Sequence, residues 1–159
     1  MMKAAVLTVS DRSARGERPD RSGPALAEAI REVSGTVVFT ELVPDDQAEI
    51  EAQLREWADG GEVDVILTTG GTGIAVRDVT PEATLAVIDR RVPGMAEAMR
   101  AASLTVTPHA MLSRAVAGVR ETCLIVNLPG SPKGAVECLR VIAPALPHAI
   151  ELLHGTSQE

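Results

Sequence analysis

The densest cluster of chemistry-bearing residues runs from Thr68 to Thr84 and reads TTGGTGIAVRDVTPEAT. Gly70, Gly71 and Gly73 let a backbone turn sharply and bring amides close to a ligand, and Thr69 and Thr72 add hydroxyl donors. Converging amides and hydroxyls suit a phosphate. The segment is not the dinucleotide-binding GxGxxG, because Val76 stands where the third glycine belongs, nor a Walker A loop, because no Gly-Lys-Ser/Thr follows. A turn that merely needs glycine is the bland alternative.

A second cradle is Asn127-Leu-Pro-Gly-Ser-Pro-Lys133. Ser131 is placed to cap a helix that Pro132 begins, with the positive end of the helix dipole facing outward toward an anion. Lys133 adds a full positive charge. A plain loop and cap explains this segment about as well. Asp11, Asp45 and Asp78 are spread among three different junctions, and hard carboxylate oxygens are what magnesium prefers beside substrate phosphates. Each aspartate taken singly is more often a structural helix cap. Arg12, Arg77 and Arg114 are available to neutralise phosphate charge, although an isolated arginine is usually a solvated surface group.

These clusters need strand ends to hold them. Ala4 to Ser10, Thr36 to Val43 and Val63 to Thr69 are apolar β runs, and Ala115 to Leu128 holds two more, broken near Arg120 and Glu121. Helical spacing follows from Pro24, where Leu26, Ile30 and Val33 recur, and from Asp46 to Gly60, where Ile50, Leu54 and Trp57 share a face. Thr80 and Pro81 predict a helix with Thr80 as its N-cap, Met95 to Ala102 predicts another, and a last helical region starts at Ser131 and is interrupted by Pro144 and Pro147. Alternating strands and helices predict an α/β fold of three layers, a mostly parallel sheet covered by helices on both faces. Ligands of such sheets bind outside the carboxyl ends of the strands, where all the polar clusters fall.

Composition narrows the function. A chain of 159 residues has the size of one domain, expected over 1–159 with 155–159 a flexible tail. A net charge of −7, one Trp, one Phe and no Tyr argue against a nucleic-acid binder, which needs a basic face and stacking platforms. No apolar run approaches the length of a membrane span, and the N-terminus shows no signal-peptide pattern, so a cytoplasmic protein is expected. Cys123 and Cys138 sit in apolar stretches without ligand spacing and read as buried, reduced thiols. His109, His148 and His154 form no HxxxH pair, and no nucleophile triad is visible.

The chain resembles the MogA/MoaB family of molybdopterin-binding proteins over essentially residues 3 to 154. The resemblance is carried by SDR at Ser10 to Arg12, Asp20 and Gly23, PDDQ at Pro44 to Gln47, TTGGTG with RDVTPEAT, PGMAEAMR at Pro93 to Arg100, LSR at Leu112 to Arg114, and NLPGSPK. It implies the molybdopterin-binding domain fold, a homotrimer or hexamer, and a reaction in which the terminal phosphate of molybdopterin attacks the α-phosphate of magnesium-bound ATP. The product goes on to a downstream molybdenum-insertion protein. Matched position by position, the resemblance implies Asp45 and Asp78 as the catalytic pair holding magnesium through the phosphates. It implies Thr69, Gly70, Gly71, Thr72 and Gly73 as the nucleotide and pterin cradle, and Ser10, Asp11 and Asp20 at the adenylate end. Ser113, Asn127, Pro129, Gly130, Ser131 and Lys133 are implied on the pterin side. Asp46 follows Asp45 and competes for its role, with the spacing from Pro44 favouring Asp45. The rival readings are a pterin carrier without turnover and a domain related to nicotinamide-nucleotide and ADP-ribose hydrolases.

Overall fold

The alternation of apolar residues along β1 (Met2–Val9) sends Ala4 and Val6 to one face of a sheet and Ala5, Leu7 and Val9 to the other. All five are buried, as a central strand between two helical layers requires. The computed structural model describes residues 1–157. Six strands lie in the order β2-β1-β3-β6-β5-β4, with β2 (Gly35–Val43), β3 (Val65–Thr69) and β6 (Cys123–Leu128) parallel to β1 in the chain of pairings. β5 (Ala117–Arg120) runs antiparallel to β6, and the two-residue β4 (Arg90–Arg91) runs antiparallel to β5. The mostly parallel sheet expected from the sequence is present in β2, β1, β3 and β6, and the break at Arg120 and Glu121 is a hairpin, with Glu121 at φ 54°, that adds an antiparallel edge.

Helices cover both faces. α2 (Ser22–Glu32), α5 (Pro93–Leu104), α6 (Pro132–Ile142) and α7 (Leu146–His154) bury Leu26, Ile30, Met99, Leu139 and Leu146 against one core, which takes Val65 and Leu67 from β3. α3 (Gln47–Asp59) and α4 (Thr80–Val87) bury Ile50, Leu54, Trp57, Ala83 and Val87 on the other side. There Phe39 stacks on Trp57 with ring centroids 5.9 Å apart. Both cysteines are buried and free; burial pushes the Cys123 thiol up to about 12, so it is an apolar filler and not a nucleophile.

Three local expectations change. Thr80 is the first helical residue of α4 and makes no cap; its hydroxyl donates instead to Gly70 O at 2.9 Å. A four-residue helix α1 (Asp11–Ala14) follows β1, and a 3₁₀ turn at Pro108–Leu112 follows α5, both too short to announce themselves by periodicity. Of the expected tail, Gly155 closes α7 in the left-handed region at φ 69°, and 158–159 lie outside the described residues.

One buried polar group ties the layers together beneath the strand ends. The Asn127 side chain accepts from Val116 N at 3.1 Å and donates to the Thr68 and Thr84 hydroxyls at 3.0 and 2.9 Å, joining β6 to β3, to α4 and to the strand entering β5. All of these atoms are out of water, so removing the amide orphans three partners. Asn127→Ala is expected to cost about 2–4 kcal/mol, read as a lower urea midpoint with an unchanged m value.

Candidate active site

The chain runs from β1 outward to β2 and then back across to β3 on the other side of β1, so the connections part company between β1 and β3. A crevice opens at such a switch point. Gly70 fills it. A β-carbon on Gly70 would stand 2.2 Å from Val9 O, and its φ of 103° is closed to other residues. Gly71, at φ 69°, would carry a β-carbon 2.3 Å from the Thr80 hydroxyl and 3.0 Å from Asp45 Oδ1. The loop after β6 closes on the same point: Gly70 N donates to Leu128 O at 3.2 Å and the Thr69 hydroxyl to Pro129 O at 2.7 Å. Ser131 caps α6 as expected, accepting from Gly134 N at 3.1 Å.

Two cavities flank this junction. The first, about 880 Å³, is lined by Ser10, Asp11, Asp20, Asp45, Thr69, Gly70, Gly71, Asp78, Gly130 and Ser131 among others. The second, about 280 Å³, is lined by Thr72, Gly73, Ser113, Pro129 and Ser131, with Asn127 buried at its base. Ser131 belongs to both. Lys133 belongs to neither: its side chain is 81% exposed and lies 3.8 Å from Glu137 one turn along α6, away from the repelling helix N-terminus. The second cavity also has walls to which the sequence assigns no site role, Ala96, Met99 and Arg100 from the PGMAEAMR run and Ser103 beyond it, all on α5. Their helical spacing reads equally as an ordinary core stripe, which is why the sequence alone does not reveal them. Arg15, Arg18 and Arg21 in the wall of the first cavity belong to no motif.

The four aspartates divide by what their oxygens already hold. Asp11 accepts from Asp45 N at 2.9 Å and from both arms of Arg77 at 2.9 Å, so the Arg77 guanidinium holds its carboxyl below the ordinary carboxylate value. Asp20 accepts from the Thr8 hydroxyl at 2.8 Å and from Gly23 N at 3.0 Å. These two are spent as struts. Asp45 accepts only from Asp11 N, at 2.9 Å, and Asp78 only from Ala75 N, at 2.9 Å, each through Oδ2. Each therefore keeps Oδ1 without a donor among the described residues. Asp46 lines neither cavity and caps α3, accepting from Glu49 N at 3.0 Å.

Asp45 is short of positive charge. Partial burial, and then the negative charges of Asp11 and Asp78, push its carboxyl above the ordinary value in spite of the bond from Asp11 N. That is the setting of a carboxylate awaiting a cation. Among the described residues no group of three or more His, Cys, Asp or Glu is placed to hold a metal by itself. Two open carboxylates that need further oxygens from a ligand suit magnesium beside phosphates.

Arg114 does not face the ligand space as a phosphate contact. It staples the glycine loop, donating to Gly73 O and Asp78 O at 2.7 Å each and pairing with Glu82. Burial opposes the Glu82 charge, and the Arg114 hydrogen bond, a backbone hydrogen bond and the Arg114 charge together outweigh it, leaving the carboxyl below its ordinary value.

Residues 5–148 match the family described as "Probable molybdopterin binding domain". The chain is 43% identical over 152 residues to the molybdopterin adenylyltransferase of Helicobacter pylori, covering 94% of this chain and 86% of that protein. It is 42% identical over 168 residues to the molybdopterin adenylyltransferase of Escherichia coli, covering 97% and 86%. The crystal structure of the molybdopterin biosynthesis enzyme MoaB from Thermus thermophilus superposes with a TM-score of 0.92 at 52% identity over the whole of both chains.

The raised Asp45 value sets a pH dependence. A carboxyl with a raised folded-state value contributes stability that is fully present below its ordinary value of 3.8 and lost as pH rises through the folded value. Asp45→Asn, which keeps the acceptor for Asp11 N, is expected to melt at a higher temperature than the wild type at pH 7. The two melting curves should converge as the pH falls below 3.8; a variant less stable at neutral pH would contradict the charge assignment.

Proposed function

The chain belongs to the molybdopterin-binding-domain family, and on that premise we propose that it is a molybdopterin adenylyltransferase that transfers AMP from magnesium-bound ATP to the terminal phosphate of molybdopterin. The observation that carries the reading is the pair of open carboxylate oxygens, Asp45 Oδ1 and Asp78 Oδ1, at a glycine turn flanked by two cavities that share Ser131.

The larger cavity, with its floor of Gly70, Gly71 and Gly130, has the room for a nucleotide. The smaller one, walled by α5 and the turn before Ser113, takes the pterin. Ser131 sits at the boundary where the acceptor phosphate meets the α-phosphate. Nucleotidyl transfer depends on alignment and charge neutralisation and needs no protein nucleophile, in keeping with a site made of carboxylates, amides and hydroxyls. Asp45 and Asp78 would hold magnesium together with phosphate oxygens, and the ion would supply charge neutralisation at the phosphates. Asp11 orients Asp45 through the reciprocal pair of backbone bonds, and Arg77 in turn fixes Asp11. The use of ATP puts the reaction in the cytoplasm, and the adenylylated product passes to a protein that inserts molybdenum. No helix among the described residues is long and apolar enough to cross a membrane.

Incubation with molybdopterin, ATP and magnesium is expected to yield adenylylated molybdopterin and pyrophosphate. Asp45→Ala and Asp78→Ala should each lower turnover by at least ~10²-fold while the circular dichroism spectrum stays native, since both lie on the rim. Pterin binding without product would favour the carrier, and nucleotide hydrolysis without pterin binding would favour the hydrolase-related reading.

A homotrimer or a larger ring belongs to the same proposal. Ile74 and Val76 of the glycine loop are 68% and 97% exposed, and Val106 and Met111 beside the second cavity are 61% and 69% exposed. Apolar residues so bare beside a site call for a covering subunit. Sedimentation at micromolar concentration should show a trimer or larger species; a stable monomer would count against it.

A further inference from the structure

Arginines recur at every third position between β1 and α2: Arg12, Arg15, Arg18 and Arg21. All four line the first cavity. In a chain of formal charge −7, cations gathered along one wall of a cavity that Asp11, Asp45 and Asp78 also line create a strong local field. Arg15 is committed to Glu17 through two hydrogen bonds of 2.9 and 3.1 Å. Arg12, Arg18 and Arg21 are exposed, and their side chains have no hydrogen-bonded or ion-paired partner among the described residues. The segment is nevertheless held at both ends. Ser10 caps α1 at its start, and Asp20 ties its end to Thr8 on β1 and to Gly23 on α2.

The sheet order gives this wall a direction. The second cavity lies on the β6 and β5 side of the glycine turn, and the arginine segment leaves β1 on the opposite side. In the adenylyl transfer proposed above, on which this inference rests, a terminal oxygen of the molybdopterin phosphate bonds to the α-phosphorus. The bond from that phosphorus to the bridging oxygen breaks, and pyrophosphate leaves with the electron pair. Entry and departure are in line, so an acceptor arriving from the second cavity drives the pyrophosphate toward β1.

We propose that Arg18 and Arg21, assisted by Arg12, bind the β- and γ-phosphates of the nucleotide and receive the departing pyrophosphate. Guanidinium groups suit that position. They stay protonated, offer paired donors to phosphate oxygens, and need no proton transfer as charge moves to the leaving group. They also offset the repulsion that a triphosphate would meet from Asp11, Asp45 and Asp78. The wall is therefore a specificity element, reading the length of the phosphate chain while the glycine cradle reads the α-phosphate.

The test is calorimetric titration, with magnesium present and molybdopterin absent, of wild type and of the Arg18→Gln/Arg21→Gln double variant. The probes are ATP, AMP and inorganic pyrophosphate. The wild type should prefer ATP to AMP, and the double variant should bind ATP roughly tenfold more weakly, lose pyrophosphate binding, and keep its AMP affinity within about twofold. Arg18→Lys/Arg21→Lys should recover part of the loss, because charge returns without the paired donors. Both positions are exposed, so an unchanged melting temperature is expected and is measured alongside. A wild type indifferent to phosphate number, an unchanged double variant, or equal weakening of ATP and AMP would each overturn the assignment. Failure of the wild type to adenylylate molybdopterin would instead overturn the transferase reading.

Discussion

Gly70 packs against the Val9 carbonyl at a distance that leaves no space for any side chain, and the geometry of the site depends on that contact. Because β1 and β3 are adjacent and parallel, they can stay paired as far as Thr8 and Thr69 only if the turn that follows brings in nothing but backbone. The same turn receives the loop after β6, where a β-carbon on Gly130 would stand 3.3 Å from Gly70 Cα. Three loops thus meet at one point, held there by backbone contacts such as Gly70 N to Leu128 O and Thr80 N to Gly71 O. A rim of peptide dipoles costs no net charge, which matters in an acidic chain that must approach polyanionic substrates.

The carboxylates build on that rim in two grades. Asp11 and Asp20 are saturated by Arg77, Asp45 N, Thr8 and Gly23, and they make β1, β2 and α2 behave as one frame. Asp45 and Asp78 are held through one oxygen and left open through the other, close enough to each other for the charge on Asp78 to raise the Asp45 carboxyl. Keeping Asp45 so is an electrostatic cost to the folded state. A functional site commonly carries such a local electrostatic cost, borne here by two apolar cores and by the Asn127 network below.

Much of this was legible in the chain itself. The β and α runs, the Ser131 cap, the preference for Asp45 over Asp46 and the meeting of the polar clusters at one edge all follow from local pattern, since buried strands and capped helices write their own signatures. The roles of Thr80 and Arg114 were not legible. A threonine before a proline is a sound cap locally, and only the nearness of Gly70 O redirects its hydroxyl. An arginine reads as a phosphate ligand until the carbonyls of Gly73 and Asp78 are seen to fill its donors. The α5 run Pro93 to Arg100 was legible but its place in the wall of the second cavity was not, since residues that line a pocket and residues that line a core share one helical period.

What the sequence determined by itself was the set of elements, the chemical types at their ends and the family they resemble, because periodicity, caps and motifs act over short stretches of chain. Only the tertiary structure decided which aspartate oxygens are open, that Lys133 stands outside both cavities and that the arginines between β1 and α2 form a wall. Those outcomes turn on hydrogen bonds and approaches between residues tens of positions apart. A carboxylate with a donor on both oxygens and one with a donor on a single oxygen are the same letter until the fold supplies the donors.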